Sequence, residues 1–195
     1  MTHLALLGPL KNKTVFTAQE ARRLGVNPSL LAYYVKKGFL KRLQRGIYRN
    51  PASKAAPDFR WEDLIVTILT IPEGVVCLLS ALAIYELTDE IPREQWIAVP
   101  NSMTAPRRKN IRSIRMRNMT LGKTTIKLGD VEIPIFDKER TVVDAFRYLG
   151  KETAIRALKA LFSSGKKHKP EIKKLKAYAG KLRVPIDPYL LMVTT

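Results

Sequence analysis

The chain has 195 residues, of which 46% are hydrophobic, and its 35 Lys and Arg against 17 Asp and Glu give a formal net charge of +18. This length allows one large core or two small domains, and the hydrophobic fraction excludes a solvated basic tail. The excess positive charge indicates a polyanion or an anionic surface as partner. The single cysteine, Cys77, excludes a disulfide framework and a Cys/His metal site. Because the first residues lack the features of a signal peptide or a membrane span, we expect a cytoplasmic protein without membrane attachment.

The charge is distributed unevenly along the chain. Residues 1–50 carry ten basic and one acidic side chain, residues 51–100 carry three and eight, and the rest of the chain is again basic. The sign changes at "RNPASKAAPDF", whose prolines and small residues are typical of a linker. We therefore predict two domains, residues 1–52 and residues 58–195.

Two short helices are predicted in the first domain. Thr17, followed three residues later by Glu20, has the pattern of a capping box, so a helix should begin there and end before the next glycine. Asn27 is a second N-cap, Pro28 suits the first helical position, and Gly38 should stop that helix. In the second helix Leu31, Tyr34 and Val35 have the spacing of a buried face. Its exposed side should hold Ser29, Ala32, Tyr33, Lys36 and Lys37.

A basic hairpin should follow the second helix. "FLKRLQRGIYR" contains two short β-prone runs, which are separated by a tip at Gln44-Arg45-Gly46. Two helices followed by a basic hairpin are typical of a winged helix-turn-helix, which binds double-stranded DNA with its second helix in the major groove. Base edges would be contacted by Ser29 and Tyr33, and phosphates by basic residues. The predicted DNA-binding residues are Thr17, Ser29, Tyr33, Lys36, Lys37, Arg42, Arg45 and Arg49. For any single residue, a solvated helix face or a core tyrosine remains the alternative.

The second domain is predicted to be mixed α/β, with a small antiparallel sheet and several helices, which makes the whole chain α+β. "DFRWEDLIVTILTI", capped by Asp58, and "LLSALAIYEL" have helical spacing, whereas "QWIAVP" and "IRSIRMRNM" have the composition of strands. "TIKLGDVEIPIF" predicts a hairpin that turns at Gly129-Asp130. Three helices are expected at about residues 138–149, 152–164 and 170–182. In the last, Lys173, Lys174, Lys176 and Lys181 should take the exposed side.

A second basic surface is predicted in this domain, because no acidic residue occurs between Gln95 and Gly129. If residues 111–117 form a strand, Arg115 and Arg117 point to one face, and Ile114 and Met116 to the other. The surface comprises Arg107, Arg108, Lys109, Arg112, Arg115 and Arg117. It suits nucleic acid, phosphate or an acidic protein surface, and an edge strand guarded by charges is the alternative.

Three segments resemble the AbiEi family: "TAQEARRLGVNPSLLAYYVKKGFLKRLQRGIYR", "LLSALAIYELTDEIPREQWIAVP" and "IFDKERTVVDAFRY". The resemblance extends over about residues 10–165. It implies a winged helix that represses its own operon and a C-terminal antitoxin domain of a type IV toxin–antitoxin system. The functional partner would be a co-encoded nucleotidyltransferase-like toxin, and direct contact with it is not required. By position the DNA face falls on Ser29, Tyr33, Lys36, Lys37 and Arg45. Arg140 and Asp144 are expected to form an i,i+4 structural pair.

Two other functions remain open. A stand-alone winged-helix regulator with an effector-sensing domain would share the first domain. A metal-dependent nuclease would need converging carboxylates, and "GDVEIPIFDKER" supplies Asp130, Glu132, Asp137 and Glu139. Their spacing fits such a site poorly, because the first lies in a turn and the third resembles a helix cap. We therefore predict a protein that is not an enzyme, with no catalytic residue, no metal and no cofactor.

Overall fold

The structure is a computed structural model that describes residues 10, 13–53, 59–105, 108–163 and 170–194. The chain is α+β, as the sequence predicts. Its contacts divide it into two compact units. The N-terminal unit comprises Met1–Pro72 and Ile126–Ile133, and the C-terminal unit comprises Glu73–Thr125 and Pro134–Thr195. Residues 54–58 of the predicted linker, which include the predicted cap Asp58, lie outside the described residues, and the domain bounds 1–52 and 58–195 stay a prediction.

Among the described residues up to Pro72, the N-terminal unit has three strands and three helices. These are β1 (Val15–Thr17), α1 (Ala18–Arg23), α2 (Pro28–Lys36), β2 (Lys41–Gln44), β3 (Ile47–Arg49) and α3 (Glu62–Leu69), the last preceded by a 3-10 turn at Phe59–Trp61. The strands form an antiparallel sheet in the order β1-β3-β2. The sequence interpretation missed β1, whose residues Phe16 and Thr17 pair with Tyr48 and Ile47.

The predicted caps begin both helices. The Thr17 side chain accepts a hydrogen bond from the Glu20 N–H, and the Glu20 carboxylate accepts one from the Thr17 N–H, which completes the capping box. Asn27 Oδ1 accepts from the Leu30 N–H at 2.8 Å. Gly38 has a φ of 76°, a left-handed conformation that glycine adopts without strain, and α2 has ended by then.

A small aromatic and aliphatic core fixes α2 against the sheet. Phe16 stacks on Tyr48 with ring centroids 6.0 Å apart, and both are buried with Leu31, Tyr34 and Leu40. The inner face of α2 is therefore the predicted one, and Val35 packs at its margin. The opposite side of the helix is left to solvent.

Five strands, which form one sheet, and five helices are described from residue 75 onward. The elements are β4 (Val75–Val76), α4 (Leu78–Ile84), β5 (Gln95–Pro100), β6 (Ile111–Met116), β7 (Lys123–Leu128), β8 (Val131–Phe136), α5 (Lys138–Tyr148), α6 (Lys151–Ser163), α7 (Ile172–Leu182) and α8 (Asp187–Thr194). The strand order is β6-β5-β4-β8-β7. Three helices agree with the predicted spans to within two residues, whereas β4 and α8 were not predicted.

The five-stranded sheet is mixed, and the antiparallel sheet is the three-stranded one of the N-terminal unit. Strand β4 pairs antiparallel with β5, but β5 with β6 and β4 with β8 are parallel. The four consecutive residues from Trp96 to Val99 are all buried. A strand covered on both faces has such an unbroken apolar run, which is typical of parallel pairing.

Arg140 and Asp144 form a buried ion pair within α5, and Arg140 also contacts the loop before β7. Arg140 Nε lies 2.7 Å from Asp144 Oδ2, and each side chain is only 1% exposed. The same guanidinium donates to the carbonyl oxygens of Leu121 and Asn118. Burial raises the pKa of Asp144, and the charge of Arg140 opposes that rise. The geometry is that of the structural pair expected from the sequence.

One lysine of α7 departs from the prediction of a solvated face. Lys174 Nζ lies 3.2 Å from carboxylate oxygens of both Asp137 and Glu139, and Glu139 is almost fully buried. Burial lowers the pKa of Lys174, but hydrogen bonds and charge from these two carboxylates outweigh it and raise the pKa above its usual value. The prediction was wrong because the spacing within α7 does not show that Asp137 and Glu139, at the N-terminal end of α5, lie beside Lys174.

Candidate nucleic-acid interface

The outer side of α2 is the centre of the candidate interface. Ser29, Ala32, Tyr33, Lys36 and Lys37 are all exposed, as their spacing predicts. The helix is rigidly placed, because Leu31 and Tyr34 on its inner side are each about 1% exposed. A single exposed stripe therefore begins with small side chains at the N-terminal end of α2 and ends with two lysines.

Exposed aromatic rings accompany this stripe. Tyr33 is 50% exposed, its ring meets Tyr34 edge to face at 5.8 Å, and Lys37 Nζ lies 5.8 Å from its centroid. Phe39 is 49% exposed and packs on Tyr34 at 6.2 Å. Tyr33 and Phe39 thus both contact Tyr34 and leave about half of their surface exposed. Phe39 was not among the predicted DNA-binding residues, although its place directly after the helix-ending glycine suggests it.

The hairpin of β2 and β3 presents cations beside α2. Arg42 and Arg45 are exposed, and Arg45 lies in the two-residue tip with Gly46, which has a φ of 78°. The register shifts between Arg42 and Gln44, as in a β-bulge. Between residues 36 and 49 the chain carries six basic and no acidic side chains. This arrangement suits the phosphates of a nucleic acid.

Arg49, a predicted phosphate contact, is engaged within the protein. Its guanidinium lies 3.1 Å from Glu62, and its side chain is 24% exposed. Lys41, which the sequence interpretation did not name, is exposed and lies opposite Arg49 in the hairpin register. Lys41, and not Arg49, is therefore the exposed cation available for a phosphate contact at this position of the hairpin.

Thr17 is likewise engaged within the protein, as the N-cap of α1. Its hydroxyl and N–H both contact Glu20, whose carboxylate also pairs with Lys13. Partial burial would raise the pKa of Glu20, but the hydrogen bonds from Lys13 and Thr17 and the charge of Lys13 lower it below its ordinary value. A DNA contact by Thr17 stays a prediction, and what the structure shows is a helix cap.

The second basic surface lies along β6, which is at one end of the five-stranded sheet. Of the predicted residues, Arg108, Lys109, Arg112, Arg115 and Arg117 are exposed, and Arg107 lies outside the described residues. Arg112 stacks on Trp96 at 4.6 Å and lies 3.7 Å from Glu94. The predicted alternation holds only in part: Arg115 is exposed and Met116 is buried, but Ile114 is only partly buried and Arg112 is exposed.

The four carboxylates considered for a nuclease have separate roles. Asp130 accepts a hydrogen bond from the Thr14 N–H, Asp137 caps α5, Glu139 pairs with Lys174, and Glu132 is exposed on β8. Within the described ranges, no three His, Cys, Asp or Glu side chains are grouped as metal ligands would be. In the same part of the chain, no helix combines the length and the hydrophobicity of a bilayer-spanning segment.

Residues 10–51 match the family described as "Transcriptional regulator, AbiEi antitoxin". The matched segment contains the whole three-stranded sheet with α1 and α2, and therefore the exposed stripe and the hairpin. The match confirms the resemblance predicted from the sequence over this region. No curated protein matches the chain.

Proposed function

We propose, from the match of residues 10–51 to the AbiEi antitoxin family of transcriptional regulators, that the protein is a DNA-binding transcriptional autorepressor. The observation that carries the proposal is the exposed stripe of α2 beside a basic hairpin. In this reading, the N-terminal unit is a winged helix-turn-helix that lays α2 in the major groove. The hairpin is its wing, and Arg42 and Arg45 contact phosphates.

We further propose that the protein is the antitoxin of a type IV system that counteracts a nucleotidyltransferase-like toxin. The basic surface of Arg108, Lys109, Arg112, Arg115 and Arg117 is the proposed antitoxin surface. What supports it is that all five cations are exposed, with Arg112 and Arg115 on β6 and the other three beside its ends, while Ile111 and Met116 of the same strand are buried.

The two activities are tested in parallel. A reporter fused to the protein's own promoter measures repression, and growth of cells that express the neighbouring toxin gene measures rescue. Arg42→Ala with Arg45→Ala should abolish repression and leave rescue intact. Arg115→Glu with Arg117→Glu should do the reverse. A matched control is Lys173→Glu with Lys181→Glu, which removes two exposed cations of α7 and should affect neither assay.

If the hairpin variant is folded but does not rescue cells from the toxin, the two activities are not separate, because antitoxin activity would then depend on DNA binding. If no variant loses either activity, neither surface has the proposed role. Circular dichroism of each variant shows that it is folded.

A cleft in the N-terminal unit favours the stand-alone regulator as a second candidate. The cleft measures about 490 Å³, within the size range of small-molecule sites. Its charged lining residues are Lys13, Glu20, Arg23, Lys127, Asp130 and Glu132. Because both signs of charge are present, a zwitterion such as a free amino acid suits it. If such an effector acts, one of the twenty amino acids at millimolar concentration should change operator affinity; no change with any of them eliminates this candidate.

A further inference from the structure

The end of α2 that would meet base pairs first has no exposed charged side chain. In helix-turn-helix proteins, the N-terminal residues of the second helix contact base edges. Here the exposed side chains of that end are Pro28, Ser29, Ala32 and Tyr33. The first basic residue of the stripe, Lys36, is seven residues beyond Ser29, about 10 Å farther along the helix axis.

Within α2, Lys36 is the only residue of a type that recognises a base through two hydrogen bonds, and it lies at the far end of the helix. Guanine is most often recognised by Arg or Lys, and adenine by the paired oxygen and nitrogen of Asn or Gln. The sequence of α2, "PSLLAYYVK", contains no Arg, Asn or Gln. Asn27 directly precedes it and is exposed, but its Oδ1 already accepts the Leu30 N–H at 2.8 Å. This hydrogen bond holds the Asn27 amide against the first turn of α2, so the amide is not free to align with the edge of an adenine.

Resting on the proposed DNA-binding function, we infer that α2 recognises its operator through the C5-methyl groups of thymine. The methyl of Ala32 and the ring of Tyr33 supply apolar surface of the kind that packs on thymine methyls in the major groove. The ring contacts Tyr34 on one edge and Lys37 on its face, and half of its surface stays exposed. Ser29 and Tyr33 each add one hydroxyl, which can donate to or accept from any base and discriminates little.

The inference predicts the character of the operator. Thymines should occupy the positions facing Ala32 and Tyr33, and their methyl groups should carry the discrimination. Each buried methyl corresponds to about fourfold in affinity, so two should give about 15-fold. Binding to unrelated duplexes, which depends on phosphates, should not respond to the methyl groups.

The test uses the full chain and a duplex selected by it from a randomised pool. Replacing the thymines of the selected core by deoxyuridine removes only their methyl groups. We expect about 15-fold weaker binding, with no change when flanking thymines outside the footprint are replaced. Ala32→Ser should reduce this thymine-to-uracil ratio to about fourfold. The matched control Ala177→Ser, an exposed alanine of α7, should keep the full ratio.

The outcomes separate the inference from the function on which it rests. A selected duplex that binds equally well with uracil and thymine overturns the thymine-methyl inference and leaves DNA binding standing. A pool from which no sequence is enriched overturns sequence-specific binding itself. A uracil effect that persists unchanged in Ala32→Ser and in Tyr33→Ser also overturns the inference, because the methyl groups would then be contacted from elsewhere.

Discussion

The salt dependence of DNA binding follows from the number of exposed cations beside α2. Five basic side chains are exposed between residues 36 and 45: Lys36, Lys37, Lys41, Arg42 and Arg45. Each phosphate contact releases condensed counterions and contributes about −0.9 to the slope of log K against log salt. Five contacts per bound monomer give a slope of about −4.5, so affinity should fall roughly 500-fold between 50 and 200 mM NaCl.

Two arginines of the hairpin provide a matched pair for this prediction. Arg45 lies exposed in the tip, whereas Arg49 is paired with Glu62 at 3.1 Å. Arg45→Gln should make the slope shallower by about 0.9, because one phosphate contact is lost. Arg49→Gln should leave the slope unchanged, since its charge is already compensated within the protein.

The assay is fluorescence anisotropy of a labelled 20-base-pair duplex at NaCl concentrations from 50 to 300 mM. Thermal unfolding of each variant shows whether the fold survives. A wild-type slope shallower than about −2 would refute phosphate contacts by all five cations. A slope that responds to Arg49→Gln and not to Arg45→Gln would refute the assignment of the two arginines.

Three further predictions concern stability. Arg140→Met leaves Asp144 buried without its partner and should cost roughly 3–5 kcal/mol in urea unfolding, part of which Asp144→Asn should restore; a loss below about 1 kcal/mol would contradict a structural pair. Gly122→Ala places a Cβ 2.6 Å from the Cβ of Arg140 at a φ of 68°, so it should lower the unfolding temperature markedly, and an unchanged temperature would show that the loop moves freely. Because the folded state lowers the pKa of Glu20, its contribution to stability is present above the ordinary value of 4.5 and is lost as pH falls through the folded pKa. Glu20→Gln should therefore flatten the acid side of the stability profile, and an identical acid limb in the variant would exclude this contribution.

Local chemistry made much of the candidate interface predictable from the sequence. Asn27 and Gly38 delimit α2 through hydrogen bonds and backbone conformation that depend on only a few neighbouring residues. The helical period then assigns Leu31 inward and Tyr33 outward without knowledge of the rest of the fold. The exposed stripe required no information from distant parts of the chain.

Features that depend on distant partners were not predictable in this way. Strands β1 and β4 have three and two residues, and each exists because strands remote in sequence provide its hydrogen bonds. Arg49 and Lys174 likewise pair with carboxylates that belong to other secondary-structure elements, Glu62 and Asp137. A sequence pattern assigns a charged residue to the surface, but it does not show which surface charges are already neutralised.

The N-terminal unit separates the residues that hold α2 from those that would contact DNA. The core contacts of the helix are made by Leu31 and Tyr34, whereas Ser29 and Ala32 are exposed and lie outside the core. Surface substitutions away from caps and core usually change stability by less than about 0.5 kcal/mol. Exchange of these two side chains should therefore alter operator preference at nearly constant stability. Because the cationic hairpin supplies affinity for any duplex, such variants should still bind DNA, and the sequence preferred is set by a few small side chains on a fixed helix.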